Sequence, residues 1–223
     1  MVTKPDINQV VLRGTAQEAP CLSHENHGEP FYKFSILVPR LSGQDDILNV
    51  LASQSLLQLQ PVEAGMALEV SGQLRSFNNR SGQGSRLLLS IFAQTLAPAR
   101  AESLNQIFLS GTICKPPVLR RTPLGRSICD LMLAVNRRYG RADYLPCIAW
   151  GQVALTAGEM TVGQRLALEG RVQSRRYNKV LADRVEERTA YEVSVMRLLE
   201  TEELSPAAGE SFFAGLDKWE AAQ

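Results

Sequence analysis

Apolar residues alternate with other residues at a period of two in several stretches of the chain. Three such runs in the first half are Val10 and Leu12, then Phe34, Ile36 and Val38, then Leu68 and Val70. A period of two is typical of β-strands that bury one face. Two stretches of helical character interrupt the strands, SLLQLQPVEAG (55–65) and VALTAGEMTVG (153–163), and we expect the last glycine of each to end its helix at the C′ position.

The chain repeats itself at a distance of 97 residues. NQVVLRGT, which begins at Asn8, recurs as NQIFLSGT, which begins at Asn105, and FYKFSILVPR (31–40) aligns with ICDLMLAVNR (128–137) at the same distance. With one residue more, GMALEVSGQL aligns with GQRLALEGRV. Chance does not preserve a register over such a length, so we interpret the chain as a tandem duplication.

Each copy contains about five strands and one helix, which lies between the third and fourth strands. Glycines inside the strand patterns, where bulges and sharp bends are expected, are Gly14, Gly72, Gly111 and Gly170. These features predict an all-β protein of two tandem OB-folds, which are five-stranded Greek-key barrels with a short helix between strands 3 and 4. The predicted division is a first OB-fold at 1–98, a linker at 99–104, a second OB-fold at 105–200 and an acidic C-terminal tail with a short helix at 201–223.

The formal net charge of the whole chain, +1, conceals an uneven distribution. Residues 105–200 carry 15 Lys and Arg against 9 Asp and Glu, a net charge of +6, whereas residues 1–104 carry 8 against 9. The tail, 201–223, carries 1 against 5. A basic module attracts phosphate backbones through counterion release. We therefore expect phosphate contacts from nine residues of the second copy: Arg120, Arg121, Arg126, Arg137, Arg138, Arg141, Arg175, Arg176 and Lys179.

Other classes of protein find little support in the sequence. The four cysteines lack a C-x-x-C pair, which argues against a disulfide scaffold and a four-cysteine zinc site. Cys21, His24 and His27 are spaced as potential ligands, but their segment CLSHENHGEP predicts a solvated loop, and we expect no metal or other cofactor. No catalytic arrangement of side chains is recognisable, so we predict a binding protein rather than an enzyme. Because no signal peptide and no apolar stretch of about 20 residues is present, we expect a cytoplasmic protein that does not enter membranes.

Four motifs of the second copy carry a family resemblance: NQIFLSG, LAVNRRY, DYLPCIAWG and GQRLALEGRVQSRRY. They resemble the bacterial single-stranded DNA-binding proteins, the SSB family. The first copy, with NQVVLRG, ILVPR and GMALEVSGQLRSF, is similar to the framework of that family rather than to its surface. The resemblance covers most of residues 6–200 and implies sequence-tolerant binding of single-stranded DNA in replication, recombination or repair.

The resemblance also implies which side chains contact bases. Four aromatic positions in each OB-fold of the family stack on bases, and in the second copy they correspond to Tyr139, Tyr144, Trp150 and Tyr177. The same positions in the first copy are Ser42, Ile47, Ser53 and Asn79, so all four aromatic side chains are absent there. Since each stacked base contributes roughly 1–3 kcal/mol, we expect the second copy to bind the DNA and the first copy to serve as scaffold and interface.

Assembly and partners stay open between alternatives. SSB proteins usually assemble four OB-folds, which implies a homodimer of this chain. The family's acidic tip with a terminal proline and phenylalanine is absent from the tail, where Phe212, Leu216 and Trp219 have helical spacing. The tail therefore packs on a barrel, docks a replication protein or frays. An alternative function is a protein-interaction module of the primosome or plasmid-replication type, with weak binding of single-stranded DNA or RNA.

Overall fold

The computed structural model describes residues 6–79, 87–137, 140–180 and 185–199, except for the side chain of Lys179. The first half contains β1 (Asn8–Ala16), β2 (Cys21–Asn26), β3 (Glu29–Pro39), β4 (Asp45–Ser53), α1 (Gln54–Leu59), β5 (Ala67–Asn78) and β6 (Leu87–Pro98). The second half contains β7 (Leu104–Ile113), β8 (Val118–Arg121), β9 (Ser127–Asn136), β10 (Ala142–Trp150), α2 (Gly151–Gly158), β11 (Arg165–Val180) and β12 (Val185–Leu198). Within the described ranges, no helix has the length and apolar character needed to cross a membrane.

Each half of the chain closes into a barrel. In the first barrel, which comprises β1 to β6, strand β1 pairs with β5 and also with β3 at Thr15 and Ala16, which closes the sheet. In the second barrel, which comprises β7 to β12, strand β7 makes the equivalent pairs with β11 and β9. The pairs β4–β6 and β10–β12 are parallel. The predicted all-β class with two OB-folds is confirmed.

Side chains that point into the barrels form the core. Every apolar position of the three alternating runs between Val10 and Val70 is buried, as their period predicts. The second barrel buries Leu109, Leu133 and Leu145 completely. Because the alternation leaves every second side chain on the outer face, the same strands that build the core also present a surface.

Each barrel has one strand more than the sequence predicts. The segment CLSHENHGEP, predicted as a loop, contains strand β2, which pairs with β3 and turns at His27 and Gly28. Strand β8 pairs with β9 in the same manner. The loop prediction was wrong because, of the Asn, Gly and Pro in this segment, only Gly28 lies in the turn, whereas Asn26 and Pro30 belong to the strands on either side, and β2 extends the edge of the sheet. When β2 and β8 are set aside, α1 and α2 lie between the third and fourth of five strands, as predicted.

Both helices end before the glycines that the sequence predicts as their C′ residues. Helix α1 has Gln60 as its C-cap, because Pro61 disfavours the helical conformation at the residue before it. Helix α2 has Glu159 at its C-cap. Gly65 and Gly163 lie instead in the turns that lead into β5 and β11, with φ angles of 84° and 92°. The predicted C′ role of these glycines is therefore wrong.

The strand glycines lie where two backbones approach each other closely. The register of β5 against β6 shifts at Gly72, and the register of β11 against β12 shifts at Gly170, so the predicted bulges are present at these two positions. At Gly14 in β1, an added Cβ would lie 2.2 Å from the carbonyl oxygen of Leu37 in β3. Glycine is therefore required where the first barrel closes.

The two barrels join edge to edge and share one twelve-stranded sheet. Strand β1 pairs with β7 in antiparallel fashion, from Asn8 opposite Leu109 to Arg13 opposite Leu104. Two further contacts between the barrels are side-chain networks, each centred on a fully buried aspartate. These contacts fix how the outer face of each barrel lies relative to the other.

The Asp46 network links β4 of the first barrel to β11 of the second. The carboxylate accepts hydrogen bonds from the Arg40 guanidinium at 2.5 and 2.7 Å and from the backbone N–H of Ser174 at 2.7 Å. Arg40 also donates to the carbonyl oxygen of Ser174 at 3.0 Å. The hydrogen bond to Asp46 raises the pKa of Arg40, so the guanidinium stays charged at the junction.

The Asp143 network makes the same contacts in the opposite direction, from β10 to β5. Arg137 donates to the Asp143 carboxylate, with a distance of 2.7 Å from Nε to Oδ2, and to the carbonyl oxygen of Ser76. The N–H of Ser76 donates to the same carboxylate at 2.7 Å, and Arg75 adds an ion pair at 3.1 Å. Because the residues of the two networks correspond in the repeat, the duplication produces a matched pair of junction contacts.

Candidate nucleic-acid interface

A groove of about 1090 Å³ runs along the outer face of the second barrel. Apolar side chains of β9 and β10 line it, namely Ile128, Ile148 and Trp150. Six arginines line it as well: Arg40 of the first barrel and Arg120, Arg126, Arg171, Arg175 and Arg176 of the second. The first barrel adds Leu37 and Ile47, from β3 and β4. The groove thus combines cations with apolar and aromatic surface, the combination that suits an anionic strand whose bases stack.

Trp150 is the last residue of β10 and the N-cap of α2. It has the extended conformation of an N-cap, but its side chain makes no capping hydrogen bond, and 40% of the residue is exposed. At the corresponding position of the first barrel, Ser53 accepts a hydrogen bond from the N–H of Leu56 at 3.2 Å and caps α1. Since serine is among the best N-cap residues and tryptophan is not, the indole replaces a residue that the helix prefers.

Tyr177 lies in the part of β11 that pairs with β12 beyond Ser174. The guanidinium of Arg175 lies 5.6 Å from the centre of its ring, in a cation–π contact. Tyr177 is half-buried, and Arg175 is exposed and lines the groove. The ring therefore lies next to the groove, where a base stacked on it would meet the same guanidinium.

Tyr144 lies on the same outer face of β10 as Trp150 but six residues away, about 20 Å along a strand. Its N–H donates to the hydroxyl of Ser76 in the first barrel at 2.8 Å, and 52% of the residue is exposed. The corresponding residue of the first barrel, Ile47, lines the groove of the second. The structure therefore places Tyr144 beside the first barrel. The other predicted stacking residue, Tyr139, lies outside the described residues.

The exposed arginines of the predicted phosphate set differ in how firmly they are held. Arg121, Arg126 and Arg141 make no ion pair with a described residue. Among the described residues, Arg175 and Arg176 have only long ion pairs, at 3.8 Å to Glu192 and 3.9 Å to Glu187. Long exposed pairs contribute little, so these side chains are available to a phosphate at small cost. Arg138 lies outside the described residues, as does the side chain of Lys179.

Arg120 and Arg137 are both held by carboxylates. Arg120 donates two hydrogen bonds to Asp130, at 2.7 and 3.2 Å, and this contact raises its pKa. Both partners are exposed, so a phosphate could compete for Arg120. Arg137 is largely buried in the Asp143 network. Its guanidinium is engaged by a carboxylate and a carbonyl oxygen, so the structure gives it a positioning role rather than an open phosphate contact.

The structure adds Arg171 and Tyr191 to the groove, and the sequence predicts neither. Arg171 is half-buried, and its side chain forms no hydrogen bond or ion pair with a described residue. The corresponding residue of the first barrel is Gln73. A comparison of the two copies could therefore have identified Arg171, as a positive charge that only the second copy carries. Burial raises the pKa of Tyr191, against the effect of its hydrogen bond to Asn49 of the first barrel. Tyr191 thus belongs to the junction as well as to the groove.

The second half of the chain is similar to known proteins. Residues 104–199 match the single-strand binding protein family. A single-stranded DNA-binding protein of Clostridium tetani is 36% identical over 81 residues, which are 33% of this chain and 56% of that protein. The chain thus spans little more than half of the length of such relatives.

Thermus proteins match both copies of the repeat. The single-stranded DNA-binding protein of Thermus thermophilus is 30% identical over 198 residues, 77% of this chain and 70% of that protein. A crystal structure of a deletion mutant of the single-stranded DNA-binding protein from Thermus aquaticus superimposes with a TM-score of 0.69 and 25% identity, over 91% of this chain and 98% of the other. Because the likeness extends over both barrels and over most of the relative's length, the chain belongs to the single-strand binding protein family.

Proposed function

We propose that this protein binds single-stranded DNA with little sequence preference and that the groove of the second barrel makes most of the contacts. The observation that carries the proposal is Trp150, an exposed indole where the first barrel has the capping residue Ser53. Serine would stabilise the helix at this position, so a ligand explains the indole better than the fold does.

The proposed stacking set is Trp150 and Tyr177 at the groove, Tyr144 beside the first barrel, and Tyr139. The proposed phosphate contacts come first from the exposed arginines Arg121, Arg126, Arg141, Arg175 and Arg176. Arg120 joins them after leaving Asp130, and Arg137 orients β10 through Asp143. Arg138 and Lys179 keep the role that the sequence predicts for them. Stacking tolerates any base because every base has a π face, which supports binding without sequence preference.

We place this binding in DNA replication, recombination or repair, in the cytoplasm, by a homodimer with four OB-folds. Membership of the family supports this setting. Residues 105–200 form the proposed binding domain, and residues 1–98 form the proposed scaffold, joined by 99–104. The tail at 201–223 lies outside the described residues, and its docking on a barrel or on a replication protein remains part of the proposal.

The fluorescence of Trp150, measured in a Trp219→Phe background, tests the proposal. Oligo-dT is expected to quench it, with an affinity that falls steeply as the salt concentration rises. Trp150→Ala is expected to weaken binding of labelled oligo-dT about tenfold, since one lost stacking contact costs roughly 1–3 kcal/mol. Leu155→Ala, at an exposed leucine of α2, is the matched control and should leave the affinity unchanged.

Two outcomes would contradict the proposal. The first is the absence of both quenching and binding at low salt. The second is a Trp150→Ala variant that binds as tightly as the parent, which would separate the indole from the ligand. Competition between poly-U and poly-dT distinguishes RNA from DNA as the preferred strand.

A further inference from the structure

Three phenylalanines of the first barrel point away from its core. Phe31 in β3, Phe77 in β5 and Phe92 in β6 occupy outward positions of their strands, and none of the three belongs to the hydrophobic core cluster. Phe31 is nevertheless covered by its neighbours and is only 9% exposed. All three therefore lie on the outer face. Aromatic side chains on the outside of a closed barrel require a reason other than core packing.

Three rings form a connected column, namely His24 of β2, Phe31 and Phe92, and Phe77 lies on the same outer face farther along β5. We call these four residues the phenylalanine face. The imidazole of His24 stacks on Phe31, with ring centres 5.3 Å apart and planes 12° apart. Phe31 contacts Phe92 at 5.6 Å. His24 is exposed and extends this column to solvent, whereas Phe77 is 37% exposed and presents its ring directly.

Arginines accompany the rings, as they do in the groove of the second barrel. The guanidinium of Arg75 lies 5.8 Å from the centre of the Phe92 ring, and that of Arg137 lies 5.9 Å from the centre of the Phe77 ring. Both guanidiniums are paired with the buried Asp143 carboxylate, so they hold the rings on one side rather than attract an anion. The remaining ring surface, beside an exposed imidazole, suits a ligand with π systems.

The phenylalanine face occupies the positions that form the groove in the second barrel. Strand pairing sets His24 opposite Phe31 as it sets Arg120 opposite Ile128. By the same register, Phe77 corresponds to Arg175 and Phe92 to Ser194. The first barrel lacks aromatics at the four positions named from the sequence, yet it carries three rings elsewhere on the same face. A comparison restricted to those four positions cannot detect them.

Tyr144 connects this face with the second barrel. Its N–H donates to the hydroxyl of Ser76, the residue before Phe77, and its side chain is exposed. It shares an outer strand face with Trp150, which lines the groove. Tyr144 therefore lies at the end of β10 near the phenylalanine face, and Trp150 lies at the other end of the same strand, in the groove.

We propose that the phenylalanine face is a second nucleobase-stacking surface, so that one single strand engages the groove and then the first barrel. Phe77 and His24 are the accessible platforms, and Phe31 and Phe92 support the imidazole from below. This inference rests on the proposed function, because it takes single-stranded DNA as the ligand. It changes the first barrel from a scaffold into a binding domain with its own set of residues.

Binding of labelled oligo-dT of two lengths to the full chain tests the inference. A strand of about 8 nucleotides fits one barrel, and one of about 35 nucleotides reaches both, because one OB-fold covers roughly 4–16 nucleotides. The double variant His24→Ala/Phe77→Ala changes only exposed side chains. It is expected to bind the long strand about tenfold more weakly and the short strand as the parent does. Leu59→Ala, at an exposed leucine of α1 in the same barrel, is the control.

Photocrosslinking of the parent protein provides a measurement that does not depend on a variant. Oligo-dT with 5-iododeoxyuridine is expected to crosslink to peptides that contain His24 or Phe77. If the parent protein binds neither strand, the proposed function fails. If the parent binds both strands, the double variant binds them equally well and these peptides carry no crosslink, then the second surface is wrong while the groove stands. The phenylalanine face would in that case be a surface for another class of partner.

Discussion

The two barrels share their framework to the level of single hydrogen bonds and differ on the faces that look outward. The side-chain amide of Asn8 bonds to both backbone groups of Leu74, and that of Asn105 bonds to both backbone groups of Val172. The outer faces diverge into arginines around a tryptophan in one barrel and phenylalanines beside a histidine in the other. Barrel closure constrains the framework residues, whereas only ligands constrain the residues on the outer faces.

The largest expected effect is on the stability of the protein, and it concerns the two buried aspartates, which occupy corresponding positions in the two barrels. Asp46→Ala and Asp143→Ala should each lower the free energy of unfolding by about 3–5 kcal/mol, because each leaves a largely buried guanidinium without its partner. Urea denaturation of the full chain measures both. Asp130→Ala, which breaks the exposed pair with Arg120, should cost less than about 1 kcal/mol. A large loss for only one of the two buried aspartates would show that the junctions are not equivalent.

An intermediate effect on stability is expected at the helix N-caps, and its sign differs between the two barrels. Ser53→Ala should destabilise the protein by about 1 kcal/mol, since it removes the hydrogen bond to Leu56. Trp150→Ser should stabilise it by up to about 1 kcal/mol while weakening the binding of oligo-dT. Thermal unfolding and the titration of the same samples check both signs. A Trp150→Ser variant that is less stable than the parent would assign the indole a structural role.

The smallest expected effect is on the salt dependence of binding. Arg126 corresponds to Glu29 in the first barrel, where the carboxylate accepts a hydrogen bond from the N–H of Ser55. Arg126→Ala should reduce the slope of log K against log salt concentration by about 0.7, the value for one phosphate contact with a single strand. Lys115→Ala, at an exposed position away from the groove, should leave the slope unchanged. Equal slopes for all three proteins would remove Arg126 from the phosphate set.

Strand periodicity and the internal repeat were sufficient to predict the fold class and the inward positions. The pattern failed at helix ends and at the β2 hairpin, since both depend on a few local residues. Gly65 was placed at a helix C′ because its type fits, but Pro61 ends the helix earlier. The outward direction of Tyr144 follows from alternation. Its position beside the other barrel does not, because that depends on the pairing of β1 with β7.

Residue types and their spacing establish that this chain forms two OB-fold barrels, that the second is basic, and which aromatics it has gained. These properties are local in sequence, since a period of two and a repeat distance require no knowledge of contacts. Arg137 shows what requires the assembled molecule: as a residue type it suits a phosphate, yet it lies in a network with Asp143 and Ser76. The phenylalanine face depends on the assembled molecule in the same way, because its members come from strands that meet only when the barrel closes. Contacts between residues that are distant along the chain decide whether a side chain is free to bind.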